Sequence, residues 1–134
     1  MNDLIENHFP MCDRRLFDMF DKEGKLLARE VEVFQKPGVY ILYEGRTPYY
    51  IGKAKKLWSR LHDHANKSTD DYFLHWNYFQ AFMIADPAHR SEIEGILCAS
   101  FPTANKSTKK FPKTVVPAKL RTKIREATRK QYTA

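Results

Sequence analysis

The distribution of apolar and polar residues near the middle of the chain predicts two neighbouring β-strands. Apolar and aromatic residues run from Val39 to Tyr43, and the same character returns from Tyr49 to Gly52. Branched and aromatic side chains favour strands because they pack well on a pleated surface. Between the two runs, residues 44–48 include a glycine and a proline, as a short hairpin loop does. The pattern therefore predicts a hairpin in which each strand contributes a tyrosine.

The segment that follows has the periodicity of an amphipathic helix. In residues 55–66, Leu57 and Leu61 fall on one stripe when each residue advances by about 100°. Arg60 and His64, four residues apart, lie together at the rim of that stripe. Polar side chains at the edge of a buried helix face can point into a site on the sheet without entering the core. We therefore expect this helix to supply two site residues.

The later part of the chain predicts one more strand and one more helix. Residues 78–84 alternate between apolar and polar character, residues 89–101 have a helical pattern, and residues 70–77 form a loop or helix before the third strand. Together these elements predict an α/β protein of the α+β type. Its sheet is expected to be small, three-stranded and mainly antiparallel, with helices flanking it.

The first 36 residues leave two structures open. Residues 11–20 have the character of a short helix. Alternatively, residues 16–20 pair with residues 26–34 across the turn that ends at Gly24. In either case the segment is expected to cover or extend the sheet.

Positive charge is concentrated at the C-terminal end. The net charge is +7, and residues 106–134 hold 10 of the 23 Lys and Arg residues but one of the 16 acids, a local charge of +9. The first 105 residues therefore have 13 bases and 15 acids, a charge of −2. A basic segment gains affinity for a polyanion because each neutralised phosphate releases counterions. We expect this segment to bind nucleic acid.

The basic segment divides into an extended linker and a helix. Residues 106–116 have the composition of a linker, and Pro117 suits the first turn of a helix with a thin apolar stripe that includes Leu120 and Ile124. The candidate phosphate contacts are Lys109, Lys110, Arg121 and Arg125. The alternative is a solvated basic helix that docks on the core through its apolar stripe.

Composition restricts the class of protein. A chain of 134 residues with 43% hydrophobic residues can bury one ordinary core and is not globally disordered. No apolar run approaches the roughly 20 residues that a membrane crossing needs, and the first residues do not open a signal peptide. We therefore expect a cytoplasmic protein without a membrane partner, in which Cys12 and Cys98 need not be bonded.

Two tripeptides and an arginine carry a resemblance to a known family. Gly38-Val39-Tyr40 and Tyr50-Ile51-Gly52 lie ten residues apart between their tyrosines, Arg60 follows ten residues after Tyr50, and His64 lies one helical turn later. This arrangement resembles the GIY-YIG nuclease family, with valine here in place of the first isoleucine. The resemblance covers residues 37–105, which leaves residues 1–36 as an N-terminal extension and residues 106–134 as the basic linker and C-terminal helix.

The resemblance implies a metal-dependent endonuclease that hydrolyses phosphodiester bonds in nucleic acid, with double-stranded DNA as the expected substrate. The implied cofactor is Mg²⁺, with Mn²⁺ as an alternative, held by a glutamate on a later helix. Glu94 is the candidate metal ligand because it falls inside the apolar arc of its helix. Glu92 stays open because Asn105, which resembles the family's asparagine, follows Glu94 about one residue early. Asn105 is expected to orient site groups through hydrogen bonds.

The remaining site residues also take their roles from the resemblance. The planar, positively charged guanidinium of Arg60 can bind two phosphate oxygens at once, which stabilises the transition state. Tyr40 is the candidate general base, assisted by His64 as proton acceptor or relay. Tyr50 positions water or phosphate, and Lys53 contacts a phosphate. The alternative function is a catalytically inactive nucleic-acid-binding module on the same scaffold.

Overall fold

The central element of the fold is a four-stranded antiparallel sheet. The computed structural model describes residues 4–70, 72–105 and 116–133. The strands, in chain order, are β1 (Asn7–Asp13), β2 (Gly38–Glu44), β3 (Thr47–Ala54) and β4 (Tyr78–Met83). They lie in the order β1-β4-β2-β3, and every neighbouring pair is antiparallel. The predicted hairpin is confirmed as β2 and β3, and the predicted third strand as β4.

The prediction of three strands was wrong by one, because β1 adds a fourth. This strand lies at the edge of the sheet, most of its residues are at least partly exposed, and its register shifts between Phe9 and Cys12. Pro10 lies inside it, which is compatible with an edge position since proline cannot donate to a strand ladder. A half-exposed, bulged strand has no regular apolar alternation, so the pattern did not predict it.

Both alternatives for the N-terminal segment also need correction. After β1 the chain forms short 3-10 helices at Arg14–Asp18, Leu27–Glu30 and Glu32–Gln35. The pairing across the turn is limited to one bridge, between Phe20 and Leu26. The expectation that the segment extends the sheet is confirmed.

Among the residues that the structure describes, three α-helices accompany the sheet: α1 (Leu57–Asn66), α2 (Pro87–Ser100) and α3 (Ala118–Thr133). Asp86 caps α2, because its carboxylate accepts hydrogen bonds from the backbone N–H groups of Ala88 and His89 at 2.8 and 3.3 Å. Pro87 then occupies the first turn, where its missing N–H costs nothing. The predicted helices over residues 55–66 and 89–101 correspond to α1 and α2.

The sheet buries side chains on both faces. Tyr40 and Leu42 point to the face that α1 and the N-terminal segment cover, where they join Leu57, Leu61 and Phe79. Val39, Ile41 and Ile51 point to the opposite face, which Ile93 and Leu97 of α2 cover. Alternation along β2 therefore sends Tyr40 toward α1, the helix that bears Arg60 and His64.

Helix α3 presents a basic and largely polar surface. Its described side chains are all exposed, and Leu120 and Ile124 of its apolar stripe retain 47% and 53% of their accessible surface. Arg121 and Arg125 lie one turn apart on it. In the part of the chain that the structure describes, no helix has the length and apolar character needed to cross a membrane.

Candidate active site

Both tripeptide glycines occupy positions where a side chain would collide with a neighbouring strand. A Cβ on Gly38 would lie 1.9 Å from the carbonyl oxygen of Phe82 in β4. A Cβ on Gly52 would lie 2.4 Å from both Cζ and Oη of Tyr40, its cross-strand partner. The glycine of the second tripeptide thus makes room for the tyrosine of the first, so the two motifs form one structural unit.

A hydrogen-bonded chain of three side chains starts at Tyr40. The Tyr40 hydroxyl lies 2.8 Å from Nε2 of His64 on α1, and Nδ1 of His64 lies 2.9 Å from Oδ1 of Asp70. Tyr40 is 1% exposed and His64 is 4% exposed, so both groups are almost fully removed from water. The structure therefore joins the predicted Tyr40 and His64 directly, and it adds Asp70 as a third member.

Tyr50 packs against Tyr40 and His64 and lies closer to solvent than either of them. Its ring centroid lies 6.0 Å from that of Tyr40 and 5.3 Å from that of His64, and it stacks on Tyr72 at 4.1 Å. Tyr50 is half-buried, whereas Tyr40 is buried. Of the two tripeptide tyrosines, Tyr50 is therefore the one whose side chain solvent reaches more readily.

The phenols of both tyrosines are held in their neutral form. Burial raises the pKa of Tyr40 well above its usual value, and its interaction with Tyr50 acts in the same direction. Burial also raises the pKa of Tyr50, although its interaction with the Tyr40 hydroxyl and the charge of Arg60 oppose this effect. Positive charge from Arg60 lowers the pKa of Tyr40 as well, but burial dominates. At neutral pH Tyr40 is consequently a phenol and not a phenolate.

Arg60 lies at the exposed rim of an open cationic groove. The groove has a volume of about 530 Å³, and its charged lining residues are Lys53, Lys55, Lys56, Arg60 and Arg90. The first four are exposed. Arg90 is buried instead, and its guanidinium donates to the carbonyl oxygens of Ile84 and Ala85 at 3.0 and 2.7 Å, which holds the end of β4 to the start of α2.

This groove changes the interpretation of the charge pattern. The first 105 residues are net acidic in sum, yet several of their cations converge beside Arg60. Lys53 also connects β3 to α2, since its ammonium group lies 3.4 Å from the hydroxyl of Ser91. Lys55 and Lys56 were not among the predicted contacts, although the close spacing of three lysines after the second tripeptide is a signal in the sequence that points to them.

The two candidate glutamates differ in their surroundings. Glu94 is half-buried and Glu92 is exposed. Burial raises the pKa of Glu94, and the positive charge of Lys53 opposes that shift. The negative charge of Glu94 in turn contributes to the raised pKa of Tyr50. Of the two glutamates, Glu94 is the more buried, and its charge interacts with Lys53 and Tyr50.

Glu94 suits a divalent cation that keeps most of its own water. Within residues 4–70, 72–105 and 116–133, no three His, Cys, Asp or Glu side chains come together to hold a metal ion. Mg²⁺ is commonly bound through one or two carboxylates plus water and phosphate oxygens. The residues present therefore fit Mg²⁺ better than a metal that requires a full set of protein ligands.

Asn105 acts on the backbone of β3. Its side-chain oxygen accepts a hydrogen bond from Ile51 N–H at 3.1 Å, and its amide donates to the Ile51 carbonyl at 2.6 Å. Thr103 also donates to Asn105, at 2.7 Å, and Ala104 N–H donates to the carbonyl of Tyr49. Residues 103–105 thus cover the outer edge of β3 and hold the backbone between Tyr50 and Gly52.

Of the predicted contacts in the C-terminal segment, the structure describes Arg121 and Arg125 and shows no contact between them and this site. Lys109 and Lys110 lie outside the described residues. Arg121 and Arg125 lie on the exposed helix α3, where Ile124 and Thr128 flank them. The loop residues Asp70 and Tyr72 were missed entirely, because a single acid or tyrosine in a loop follows no period that would indicate its partner.

Comparison with known proteins gives matches among solved structures. No family model matches the chain, and neither does any curated protein. The chain is similar to the GIY-YIG N-terminal endonuclease domain of UvrC from Thermotoga maritima bound to its catalytic divalent cation, magnesium, with 26% identity and a TM-score of 0.46 over 55% of this chain and 88% of that one. A point mutant of the same domain gives 26% identity and a TM-score of 0.46 over 55% and 87%. These structures belong to the family that the two tripeptides resemble.

Proposed function

We propose that this protein is a divalent-cation-dependent endonuclease that hydrolyses phosphodiester bonds, with double-stranded DNA as its substrate. The observation that carries the proposal is the hydrogen bond between Tyr40 and the buried His64, within the electrostatic reach of Arg60. A proton acceptor beside a fixed cation is what the attack of water on a phosphodiester requires.

Tyr40 and His64 act together as the proton acceptor. Because burial keeps Tyr40 neutral, its hydroxyl takes the proton of the attacking water only as it passes its own proton to His64. The hydroxyl of Tyr50, which is nearer to solvent, orients the water or a phosphate oxygen. This pair provides general base catalysis without a phenolate in the resting protein.

Arg60 stabilises the charge that develops on the phosphate. Its guanidinium is exposed at the rim of the groove, and its charge reaches the hydroxyls of both Tyr40 and Tyr50. The fork of N–H donors matches two phosphate oxygens at once. Glu94 would hold the divalent cation, which supplies charge neutralisation at the leaving oxygen.

The cationic groove binds the phosphates that flank the cleaved bond. Lys53, Lys55 and Lys56 line it together with the first turn of α1, and a helix N-terminus favours anions. The exposed basic helix α3 supplies additional affinity that does not depend on sequence.

A nicking assay tests the proposed activity. Supercoiled plasmid incubated with the protein and Mg²⁺ should be converted to open circles and then to linear DNA, and a chelator should stop the reaction. Single-stranded DNA and RNA of matched length test the choice of substrate. Salt-dependent DNA binding without cleavage, in Mg²⁺ and in Mn²⁺, would contradict the proposal and favour a binding module.

Deleting residues 117–134 should weaken DNA binding and flatten its dependence on salt. Each phosphate contact that is lost reduces the slope of log K against log salt by about 0.9 for duplex DNA. The deletion removes the cations of α3 but leaves the groove intact, so cleavage should persist at low salt. Fluorescence anisotropy with a labelled duplex at several salt concentrations measures the slope.

Two double variants are compared with this deletion: one removes cations of the groove, and the other is a control that removes cations elsewhere. Replacing Lys55 and Lys56 by alanine removes two groove cations and should lower the slope by about 2. Replacing Lys22 and Lys25, which lie in the turn between Phe20 and Leu26, should leave the slope unchanged. An unchanged slope after the tail deletion would refute the role of the C-terminal segment.

A further inference from the structure

The loop between α1 and β4 holds His64 at both its side chain and its backbone. Asp70 accepts a hydrogen bond from Nδ1 of His64 and another from the backbone N–H of Tyr72, both at 2.9 Å. The indole N–H of Trp76 donates to the carbonyl oxygen of His64 at 3.2 Å. The imidazole ring therefore cannot rotate without breaking contacts with this loop.

The direction of the hydrogen bonds follows from the chemistry of the groups. An ionised carboxylate only accepts hydrogen bonds, so the imidazole proton lies on Nδ1, toward Asp70. Nε2 then carries a lone pair that accepts the hydroxyl proton of Tyr40. Asp70 thereby selects the one neutral form of His64 that can take a proton from Tyr40.

One arginine from the N-terminal segment fixes the same loop to the end of α1. The guanidinium of Arg14 donates to the carbonyl oxygens of Ala65 and Trp76, each at 3.1 Å, and to that of Phe73. It also lies 4.6 Å from the ring centroids of Phe73 and Trp76. Arg14 thus links the residue after His64 to the loop that bears Asp70.

We propose that Asp70 and Arg14 are positioning residues of the nuclease site, where Asp70 fixes the proton-accepting form of His64 and Arg14 fixes the loop that presents Asp70. The catalytic role of the two residues rests on the proposed function. Arg14 also gives a role in the site to the N-terminal segment, which lies outside the part of the chain that resembles the nuclease family.

The proton balance of the step is simple. Water oxygen forms a bond to phosphorus as the bond to the leaving oxygen breaks, and the water proton moves to Tyr40 while the Tyr40 proton moves to Nε2 of His64. The resulting imidazolium is held by Asp70, and solvent protonates the leaving oxygen. The groups that contact His64 are Tyr40 from β2, Tyr50 from β3, and Asp70 and Tyr72 from the loop. The charge of Arg60, one turn earlier on α1, acts on the two tyrosines.

The first test is the pH profile of single-turnover plasmid cleavage in Asp70→Asn. We expect the rate to fall by about 10- to 100-fold, the range found when a metal-bound histidine loses its orienting partner. The acidic limb of the profile should also move to lower pH, because the variant no longer stabilises imidazolium. Asp63→Asn, which removes an acid of α1 that pairs with Lys67 at 3.4 Å, is the control and should keep both rate and profile.

A second measurement does not depend on cleavage. In protein labelled with ¹⁵N at histidine, NMR should show the proton of neutral His64 on Nδ1. Asp70→Asn should change the proportion of molecules with the proton on Nδ1 rather than Nε2, while the melting curve remains cooperative. Arg14→Lys, which retains the charge but lacks the two guanidinium nitrogens that contact three carbonyls, should change the position of the His64 proton in the same direction. A proton on Nε2 in the wild type, or an unshifted acidic limb in an active Asp70→Asn, would overturn the proposal. Absence of cleavage in a wild type with the expected NMR signature would count against the nuclease function alone.

Discussion

Replacing Glu94 by glutamine is expected to reduce Mg²⁺-dependent DNA cleavage by about 100-fold or more and, in the absence of divalent cations, to make the folded protein more stable. The loss of activity follows from the loss of the carboxylate that would bind the cation, on the scale seen when a charge-stabilising group is removed from an active site. The gain in stability follows from burial, which raises the pKa of Glu94 and thus disfavours its charged form.

The sign of the pH dependence is fixed by the direction of that shift. A carboxyl group whose pKa is higher in the folded state than in the unfolded state stabilises the fold at low pH, and it loses this contribution as the pH rises and the group ionises. The difference in melting temperature between Glu94→Gln and the wild type should therefore be small near pH 4 and should grow toward neutral pH. Melting curves recorded across this range measure it.

The melting temperature at increasing Mg²⁺ concentration tests whether Glu94 binds the cation. A cation that binds only the folded state raises the melting temperature with its concentration, so Mg²⁺ should stabilise the wild type and leave Glu94→Gln unmoved. Glu92→Gln, an identical change at an exposed position on the same helix, is the matched control and should retain both cleavage and the Mg²⁺ effect. The reverse result, with both properties lost in Glu92→Gln only, would assign the cation to Glu92.

Replacing Arg60 by lysine is expected to lower kcat by about 100- to 1,000-fold while DNA affinity changes little. A lysine keeps the positive charge but loses the planar fork that reaches two phosphate oxygens. Several other cations share the groove, so binding of the ground state depends only weakly on this one residue. Single-turnover rates at saturating protein separate the chemical step from affinity.

Lys56→Ala is the contrasting variant for Arg60. Lys56 lines the same groove four residues earlier, and its loss should reduce affinity and the salt slope without changing the rate at saturation. If Arg60→Lys cleaves as fast as the wild type, a point charge is sufficient at this position. If Arg60→Ala also does so, Arg60 has no part in the transition state.

The hairpin of β2 and β3 could be predicted directly from the residue pattern. Alternation along β2 and the tight loop before β3 are local properties, so the positions of Tyr40 and Tyr50 on adjacent strands were predictable. The helical period likewise placed Arg60 and His64 on α1, but the rim position predicted for both holds for Arg60 only, because the packing of the sheet and loop buries His64. These features depend on residues close in the chain, where geometry is nearly fixed by the backbone.

Other features depend on residues that meet only after folding. The edge strand β1 is stabilised by pairing with β4, about seventy residues later, and its own pattern is interrupted by Pro10 and a bulge. Asp70 and Arg14 act on His64 through a loop and a 3-10 helix, neither of which has a diagnostic period. Asn105 was expected to orient site groups, and its contacts with the β3 backbone became visible only with the strand edge in place.

The sequence by itself determined the two tyrosine-bearing strands, the helix with Arg60 and His64, and the basic C-terminal segment, because periodicity and charge are properties of neighbouring residues. Tertiary structure alone decided that Tyr40 is buried and neutral against His64, that Asp70 completes this chain, and that cations of a net acidic core converge beside Arg60. The physical reason is that burial, hydrogen-bond direction and local electrostatic potential arise from groups that are distant in sequence and close in space.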